Sequence, residues 1–326
     1  MKAIQISMTG GPEVLQVRDV QDPKPNQGEV LIRTHTAGVN FIDVYYREGK
    51  YKAPLPFIPG GEGSGYIEAI GEGVEGFAIG DAVAWYGPLG GYAELASVKA
   101  GMVVKVPQGL DLATAAALMM QGITAHYLAY STFPLQRGQT ALVHAAAGGV
   151  GALLTQLAVA RGARVIATVS TEEKAEIARQ AGAHEVILYS QQEFDKEARR
   201  LTNGEGVDVV YDGVGKSTFE QSLKSLKRLG TLALYGAASG PVPPFDLARL
   251  SAMGSLFVTR PWSLDYVATR EKYLERVETL FDLHQRGCLQ VRIDRTFPLE
   301  EASQAHIRLE SREALGKVLL AAGASA

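Results

Sequence analysis

The stretch TALVHAAAGGVG, residues Thr140–Gly151, carries the clearest chemical signal in the chain. An apolar run of strand length leads into the pattern Ala146-x-Gly148-x-x-Gly151, with Ala146 where the usual fingerprint has its first glycine. A helical pattern follows at once. A strand, a tight glycine-rich turn and a helix N-terminus together bind the pyrophosphate of a dinucleotide through backbone N–H groups. The stretch therefore predicts dinucleotide binding, and the alternative is an ordinary turn between a strand and a helix without a ligand.

The end of the next predicted strand, Thr168–Thr171, bears on which dinucleotide binds. Units that bind NAD place Asp or Glu about 20 residues after the glycines, where the carboxylate bonds the ribose 2′-OH. Here Ser170 stands at that place, and Lys174 follows one helical turn later. A hydroxyl and a cation suit a 2′-phosphate, which a carboxylate would repel. These residues favour NADPH over NADH, unless Ser170 or Thr171 only caps a helix and Lys174 lies on a solvated helix face.

The scaffold for these residues begins at about residue 112, where a helical pattern runs to about residue 130. Apolar strands then alternate with helices, and six strands are predicted at residues 140–146, 163–169, 185–189, 207–212, 231–235 and 255–259. Strands that are apolar on both faces and alternate with helices indicate an α/β fold with a doubly wound parallel sheet. We expect a Rossmann unit with strand order 3-2-1-4-5-6 and its ligand at the carboxyl edge.

The chain on either side of this unit has a different pattern. Residues 1 to about 120 are rich in Gly, Pro and short strand-like runs, which predicts a β-rich domain. After Pro261 come a long helix at residues 270–286, a strand, a further helix and a last strand at Gly316–Leu320, too few for a separate domain. We therefore expect residues 1–122 and 265–326 to form one domain and residues 123–264 the dinucleotide-binding domain.

Length and composition limit the class of protein. A chain of 326 residues fits about two domains. The net charge of −3 gives no footprint for nucleic acid or a membrane surface, and we expect neither partner. No run of 18 apolar residues and no secretory signal is present, and the single cysteine, Cys288, excludes an internal disulfide and a multi-cysteine metal site. These features predict a cytoplasmic protein.

Several motifs together resemble the medium-chain dehydrogenase/reductase superfamily, in which a β-rich GroES-like catalytic domain accompanies a Rossmann domain. Asn-Phe-Ile-Asp at residues 40–43, PGGEGSG at residues 59–65, HAAAGGVG at residues 144–151 and FVTRP at residues 257–261 resemble the zeta-crystallin-type quinone oxidoreductases. The resemblance covers essentially the whole chain. It implies an enzyme that uses NADPH to reduce quinones.

The same resemblance predicts that no metal is bound. Zinc members of the superfamily hold the metal with Cys and a His-Glu pair, whereas the matching positions here are Asn40 and Gly61, beside a retained Glu62. Glu62 is expected to be structural, bonding backbone or a basic side chain in the same loop. A quinone already accepts electrons, so the site has mainly to hold a flat ring over the nicotinamide.

Four residues near position 40 are candidate catalytic groups. Asn40 could donate an amide hydrogen to a carbonyl of the nicotinamide or substrate, or satisfy local backbone. Asp43 could fix Tyr45 or the ribose side, or cap a helical turn. Tyr45 and Tyr51 could supply an aromatic wall and a phenolic donor, or pack as ordinary loop residues.

The resemblance also implies a larger set of cofactor contacts. Tyr189 resembles a tyrosine beside the 2′-phosphate, Tyr127 is a cofactor contact or a core tyrosine, Arg260 closes over the cofactor or forms an ion pair, and Lys317 is a contact or a surface charge. The predicted contacts are Asn40, Phe41, Ile42, Tyr127, Ala147, Gly148, Gly149, Val150, Gly151, Ser170, Lys174, Tyr189, Val214, Tyr235, Gly236, Ser239, Phe257, Val258, Thr259, Arg260 and Lys317.

Three functions follow as hypotheses. The first is reduction of a quinone held between the Asn40–Tyr51 loop and the edge of the parallel sheet. The second keeps NADPH and reduces the C=C bond of an enal or enone, with Tyr45 or Tyr51 as proton donor. The third is a non-enzymatic crystallin-like or RNA-binding role, against which the net charge argues. The apolar strand at residues 255–259 is expected at the sheet edge, where it would pair with its copy in a homodimer.

Overall fold

The computed structural model describes residues 1–87 and 89–322. The chain divides into two compact units. Unit 1 comprises Met1–Gln121 and the chain from Thr269 onward, and unit 2 comprises Gly122–Ala268. The sequence places the two boundaries at 122/123 and 264/265.

The regular elements are numbered along the chain. The strands are β1 (Lys2–Gln5), β2 (Gln16–Asp19), β3 (Glu29–Val39), β4 (Glu62–Ile70), β5 (Ala82–Tyr86), β6 (Leu95–Lys99), β7 (Val103–Lys105), β8 (Thr140–His144), β9 (Arg164–Val169), β10 (Glu185–Leu188), β11 (Val207–Asp212), β12 (Leu226–Leu234), β13 (Phe257–Thr259), β14 (Ile293–Pro298) and β15 (Lys317–Ala321). The α-helices are α1 (Phe41–Arg47), α2 (Leu112–Leu118), α3 (Met120–Tyr127), α4 (Gly149–Ala160), α5 (Glu172–Gln180), α6 (Phe194–Leu201), α7 (Phe219–Ser225), α8 (Ala248–Ala252), α9 (Ser263–Tyr266), α10 (Arg270–Gln285) and α11 (Ala302–Glu310).

Unit 2, all of whose residues the structure describes, is built on a six-stranded parallel sheet with the order β10-β9-β8-β11-β12-β13. This is the predicted order 3-2-1-4-5-6, and the predicted Rossmann architecture is confirmed. The central strands are buried on both faces, since all six residues of β11 are buried. Several strand boundaries differ from the prediction. β8 ends at His144 instead of residue 146 because Ala145 adopts a left-handed conformation with φ of 50°. β12 begins at Leu226 instead of residue 231, and β13 begins at Phe257 instead of residue 255, after the left-handed Ser255 with φ of 56°.

The main sheet of unit 1 has the order β14-β15-β3-β4-β5-β7, and β6 also pairs with β3. The eleven-residue β3 is its centre, with Val30 and Ile32 fully buried against Trp85. The C-terminal strand β15 pairs antiparallel with β3, so that Val318 lies opposite Val39. This pairing brings the start of β15 beside the residue that follows β3.

The predicted helical pattern over residues 112–130 is interrupted. It forms α2, α3 and a short π-helix at Leu128–Thr132. The break lies at Met119, whose φ of −65° and ψ of −86° leave the α-helical region. None of the helices in the described residues is both long and apolar enough to cross a bilayer.

Candidate active site

The N-terminus of α4 forms the predicted pyrophosphate site. Gly148 is the N-cap in an extended conformation, and no side chain of the described residues caps it. The first N–H groups of a helix have no partner within the helix, so those of Gly149, Val150 and Gly151 can donate to an anion. A Cβ on Gly151 would lie 2.3 Å from the carbonyl oxygen of Ala145, so this close turn needs glycine. The cradle therefore fits a dinucleotide pyrophosphate.

The neighbouring strand ends carry the residues predicted to contact a 2′-phosphate. The last residues of β9 and β10 are paired, so Ser170 and Tyr189 follow at the same edge of the sheet. Thr171 Oγ1 accepts the Lys174 backbone N–H at 3.3 Å and caps α5, so the capping alternative applies to Thr171. Tyr189 is 47% exposed and Lys174 is half-buried. Their roles toward a phosphate stay predictions.

Two further turns at this edge are held together by their own hydrogen bonds. The Asp212 carboxylate accepts the Val214 N–H at 2.8 Å, and Ser239 Oγ donates to the Val214 carbonyl at 2.8 Å. A Cβ on Gly236 would lie 2.4 Å from the Gly213 carbonyl oxygen, so the two turns approach closely. This edge brings together the predicted contacts Val214, Tyr235, Gly236 and Ser239.

The strand β13 lies at the end of the sheet and carries three more predicted contacts. Phe257 and Val258 are exposed, and Thr259 is half-buried. Arg260 follows the strand, and its Nη1 donates to the last carbonyl of β12 at 2.8 Å. The structure thus places Arg260 at the same carboxyl edge, bonded to backbone.

Tyr127 and Ala147 are both buried in unit 2. The Tyr127 ring stacks on Tyr266, with centroids 4.2 Å apart and planes 11° from parallel. Such stacking is expected if Tyr127 is a core tyrosine. A cofactor contact for either residue stays a prediction.

In unit 1, Asn40 lies between β3 and α1 as the N-cap of the helix. Asp43 Oδ2 accepts the Asn40 backbone N–H at 2.9 Å, which completes a capping box and realises the capping alternative for Asp43. The Asn40 amide group donates to Glu62 at 2.6 Å, and its oxygen accepts from Lys317 Nζ at 2.8 Å. Asn40 is therefore held by bonds to both its backbone and its side chain.

Lys317 and Glu62 form a fully buried ion pair, with side chains 1% and 0% exposed. The Lys317 ammonium also donates to Asn40 Oδ1 and to the Val39 carbonyl at 3.1 Å, so its three hydrogens have three acceptors. Glu62 also accepts the Met120 N–H. Lys317 is thus no surface charge, and its predicted contact with the cofactor stays a prediction.

Two of the positions that match zinc ligands in the zinc members of the superfamily bond a side-chain cation instead. Oxygens of Asn40 and Glu62 both bond the Lys317 ammonium, and Gly61 beside them offers no ligand atom. Within residues 1–87 and 89–322, no group of three His, Cys, Asp or Glu side chains is placed to hold a metal ion.

A buried hydrogen-bonded chain continues from Asp43 through Tyr92 and His306 to Arg47. Arg47 Nη1 lies 3.1 Å from His306 Nδ1, and because Arg only donates, Nδ1 is the acceptor. His306 Nε2 then carries the proton and donates to the Tyr92 hydroxyl at 3.2 Å, which donates to Asp43 Oδ2 at 3.1 Å. Burial and the Arg47 charge lower the His306 pKa to about 3, so the imidazole is neutral.

Asp43 is the end of this chain, and its Oδ1 has no hydrogen-bond partner among the described residues. Burial raises the Asp43 pKa to about 7, although the bond from the Asn40 N–H, the Lys317 charge and the Tyr92 hydroxyl oppose the shift. The folded protein thus binds this proton more tightly than the unfolded chain does. Its stability contribution is present at low pH and is lost as pH rises from about 4 to about 7.

Asp43→Asn should remove this pH dependence, because an amide keeps the acceptor oxygen without a charge. In urea unfolding, the stability of the variant relative to the parent should rise by about 2–3 kcal/mol between about pH 5 and 8. Asp111→Asn is the matched control, since Asp111 is an N-cap whose pKa is lowered. If the stability difference between Asp43→Asn and the parent stays constant across this pH range, the pKa of Asp43 is not raised as stated.

Three tyrosines lie on and after α1. The rings of Tyr45 and Tyr51 meet edge-to-face with centroids 5.5 Å apart, and Tyr46 meets Tyr51 in the same way at 5.6 Å. The other predicted residues of this segment, Phe41 and Ile42, form the first turn of α1 and are half-buried. The segment therefore presents an aromatic cluster beside the Asn40 cap.

Arg47, Tyr92 and His306 are not among the site residues predicted from the sequence. Arg47 lies four residues after Asp43 on one helix face, a spacing that could have linked them. Nothing in the sequence connects Tyr92 and His306 to this cluster, because they come from a loop and from α11, far apart in the chain.

Family models match part of each predicted domain. Residues 26–108 match the alcohol dehydrogenase GroES-like domain, and residues 149–278 match the zinc-binding dehydrogenase family.

Similar proteins cover the chain almost completely. The quinone oxidoreductase of Pseudomonas aeruginosa is 46% identical over 98% of this chain and 99% of its own. The 2-haloacrylate reductase of a Burkholderia species is 41% identical over 98% of each. Among solved structures, Escherichia coli quinone oxidoreductase complexed with NADPH superimposes with a TM-score of 0.96, at 38% identity over 98% of this chain and 100% of its own.

Proposed function

This chain belongs to the quinone oxidoreductase family of the medium-chain dehydrogenase/reductase superfamily, and we propose that it is an NADPH-dependent quinone reductase. The proposal rests mainly on the carboxyl edge of the sheet in unit 2, where the predicted phosphate contacts lie. The uncapped glycine turn before α4 lies beside the end of β9. Ser170 follows that strand and Lys174 lies on α5, where an NAD enzyme would have a carboxylate after the strand. The full-length similarity to quinone oxidoreductases supports the acceptor class.

NADPH, when bound, supplies the hydride, and the residues of the chain bind and orient it. The N–H groups of Gly149–Gly151 would hold the pyrophosphate at the positive end of α4. Ser170 Oγ and the Lys174 ammonium would bind the 2′-phosphate with charge-assisted hydrogen bonds. Tyr189, exposed at the same edge, would cover the phosphate.

Binding the acceptor would be the task of the aromatic cluster in unit 1. A quinone is planar and electron-poor, so the edge-to-face rings of Tyr45 and Tyr51 suit it as a wall with phenolic donors. Its oxygens can take protons from such hydroxyls or from water. The chain therefore contributes mainly proximity and orientation, and the buried bonds that fix Asn40 keep this segment in place.

The proposal is tested by following NADPH oxidation with 1,4-benzoquinone and 9,10-phenanthrenequinone against a blank without enzyme. Saturable acceleration of both acceptors is expected. A Gly151→Val variant, whose side chain would collide with the Ala145 carbonyl, should lose NADPH-dependent turnover. No acceleration over the blank by the parent protein would contradict the proposal.

Reduction of a C=C bond is the second candidate, because one relative is a 2-haloacrylate reductase. This reaction needs a proton for the α-carbon, and Tyr45 or Tyr51 would be the donor. Under the same conditions, a 2-haloacrylate and a 2-alkenal should turn over much more slowly than the quinones. A higher kcat/KM for either alkene than for both quinones would make C=C reduction the better assignment.

The proposal includes a homodimer formed through β13 and a cytoplasmic location. The strand is bonded to β12 alone among the described strands, and its residues Phe257 and Val258 are exposed. An open strand edge of this kind pairs readily with a second copy. The single exposed cysteine suits a reducing compartment.

Val258→Lys should convert the dimer to a monomer, because a charge at the edge opposes strand pairing. Sedimentation velocity measures the change in mass. Ile79→Lys in unit 1 is the control, since Ile79 is also an exposed apolar residue. A parent protein that sediments as a monomer, or a Val258→Lys protein that stays dimeric, would contradict this interface.

A further inference from the structure

A second buried polar chain crosses the parallel sheet of unit 2 beneath its carboxyl edge. It joins Thr168 on β9, His144 at the end of β8, Ser222 on α7 and Asp212 at the end of β11. His144 Nδ1 lies 2.7 Å from Thr168 Oγ1, and its Nε2 lies 3.0 Å from Ser222 Oγ. Ser222 Oγ donates to Asp212 Oδ2 at 2.9 Å. All four residues are buried, at 2% exposure or less.

The hydrogen bonds of this chain run in one direction. Because the Ser222 hydroxyl donates its hydrogen to Asp212, it accepts from His144 Nε2–H. His144 Nδ1 is then the acceptor for the Thr168 hydroxyl. Burial lowers the His144 pKa and favours this neutral ring.

Asp212 links the chain to the turn that follows β11. Its Oδ1 accepts the N–H groups of Val214 at 2.8 Å and Gly215 at 3.0 Å, and its Oδ2 accepts the Thr218 hydroxyl at 2.7 Å. At the other end, Thr168 stands two residues before Ser170. His144, in the middle, directly precedes the left-handed Ala145 of the glycine turn.

We propose that His144, Ser222 and Thr168 are positioning residues that hold three backbone segments of the cofactor site in register. The segments are the glycine turn after His144, the Thr168–Ser170 strand end and the Val214–Gly215 turn. This inference rests on the proposed function, since it assigns these segments to NADPH. None of the three side chains is exposed enough to touch a ligand, so they act through the backbone they fix.

The test measures the Kd of NADPH by the change in nicotinamide fluorescence on binding. Thr168→Val and Ser222→Ala each remove one hydroxyl, and each should raise the Kd about 5- to 10-fold. Thr168→Ser retains the hydroxyl and should stay within about twofold of the parent. Thr155→Val is the matched control, because Thr155 is buried in unit 2 and its hydroxyl has no partner among the described residues.

A purely structural role would lower the melting temperature of Thr168→Val and Ser222→Ala while leaving the Kd within twofold, and this result would overturn the inference. If Thr168→Val does not fold, the Kd of Ser222→Ala decides. The outcome is separable from that of the proposed function. Absence of NADPH binding by the parent protein would contradict both the proposed function and the positioning role. Tight binding by parent and variants alike would contradict the positioning role alone.

Discussion

Lys317→Met should lower the free energy of unfolding by about 3–5 kcal/mol, because it leaves a buried carboxylate without its counter-charge. The variant removes the ammonium from Glu62, whose carboxylate is fully buried. It also takes the cation from the Asn40 amide oxygen. A buried carboxylate without its counter-charge costs far more than the pair itself contributes, and chemical unfolding at neutral pH measures this loss.

Two comparison variants show whether the loss comes from the uncompensated charge. The double variant Lys317→Met/Glu62→Gln should recover most of the stability, because no buried charge remains. Lys105→Met breaks the surface pair with Asp81, where the lysine side chain is 54% exposed, and should cost about 0–1 kcal/mol. If Lys317→Met costs no more than Lys105→Met, Lys317 does not stabilise the fold by neutralising the buried Glu62 carboxylate.

Ser170→Asp/Lys174→Gln should reverse the preference between coenzymes. We expect kcat/KM for NADPH to fall about 100- to 10,000-fold, because two charge-assisted contacts of about 1.5–3 kcal/mol each are lost and a carboxylate repels the 2′-phosphate. The new carboxylate can instead bond the ribose 2′-OH of NADH. Steady-state kinetics with each coenzyme and one quinone measure the change.

Arg179→Gln is the control for this pair of substitutions. Arg179 lies on the same helix α5 and is half-exposed, but it faces Glu172 and Glu176. Its loss should change the ratio of the kcat/KM values for NADPH and NADH by less than about twofold. An equal fall in kcat/KM for NADPH and NADH in Ser170→Asp/Lys174→Gln would mean that these two residues do not recognise the 2′-phosphate.

The fold of unit 2 could be predicted because its signals are local. Apolar strands such as Val207–Asp212 and helices between them indicate a parallel sheet, and the glycine-rich turn after the first strand indicates a Rossmann unit with its usual strand order. The boundary error at His144 arose from Ala145, whose left-handed conformation breaks the strand without glycine. Alanine gives no sequence signal for such a turn.

The polar interior of unit 1 could be predicted only in part. Asn40 and Asp43 form a capping box at a three-residue spacing, which is a local pattern. The partners of Glu62 and Asp43 come from β15, α11 and a loop, so they depend on long-range pairing such as that of Val318 with Val39. Glu62 does bond backbone, at the Met120 N–H, and a basic side chain, but Lys317 lies 255 residues away on β15 and not in the loop where that side chain was expected.

The transfer of reducing equivalents from NADPH to quinones is checked by measuring kcat/KM of the unmodified protein for NADPH and for NADH with 9,10-phenanthrenequinone as acceptor. We predict quinone-dependent oxidation with NADPH favoured by about 100-fold or more, as two charge-assisted contacts of about 1.5 kcal/mol each would give. Equal or greater efficiency with NADH, or no quinone-dependent rate above the blank, would contradict the claim.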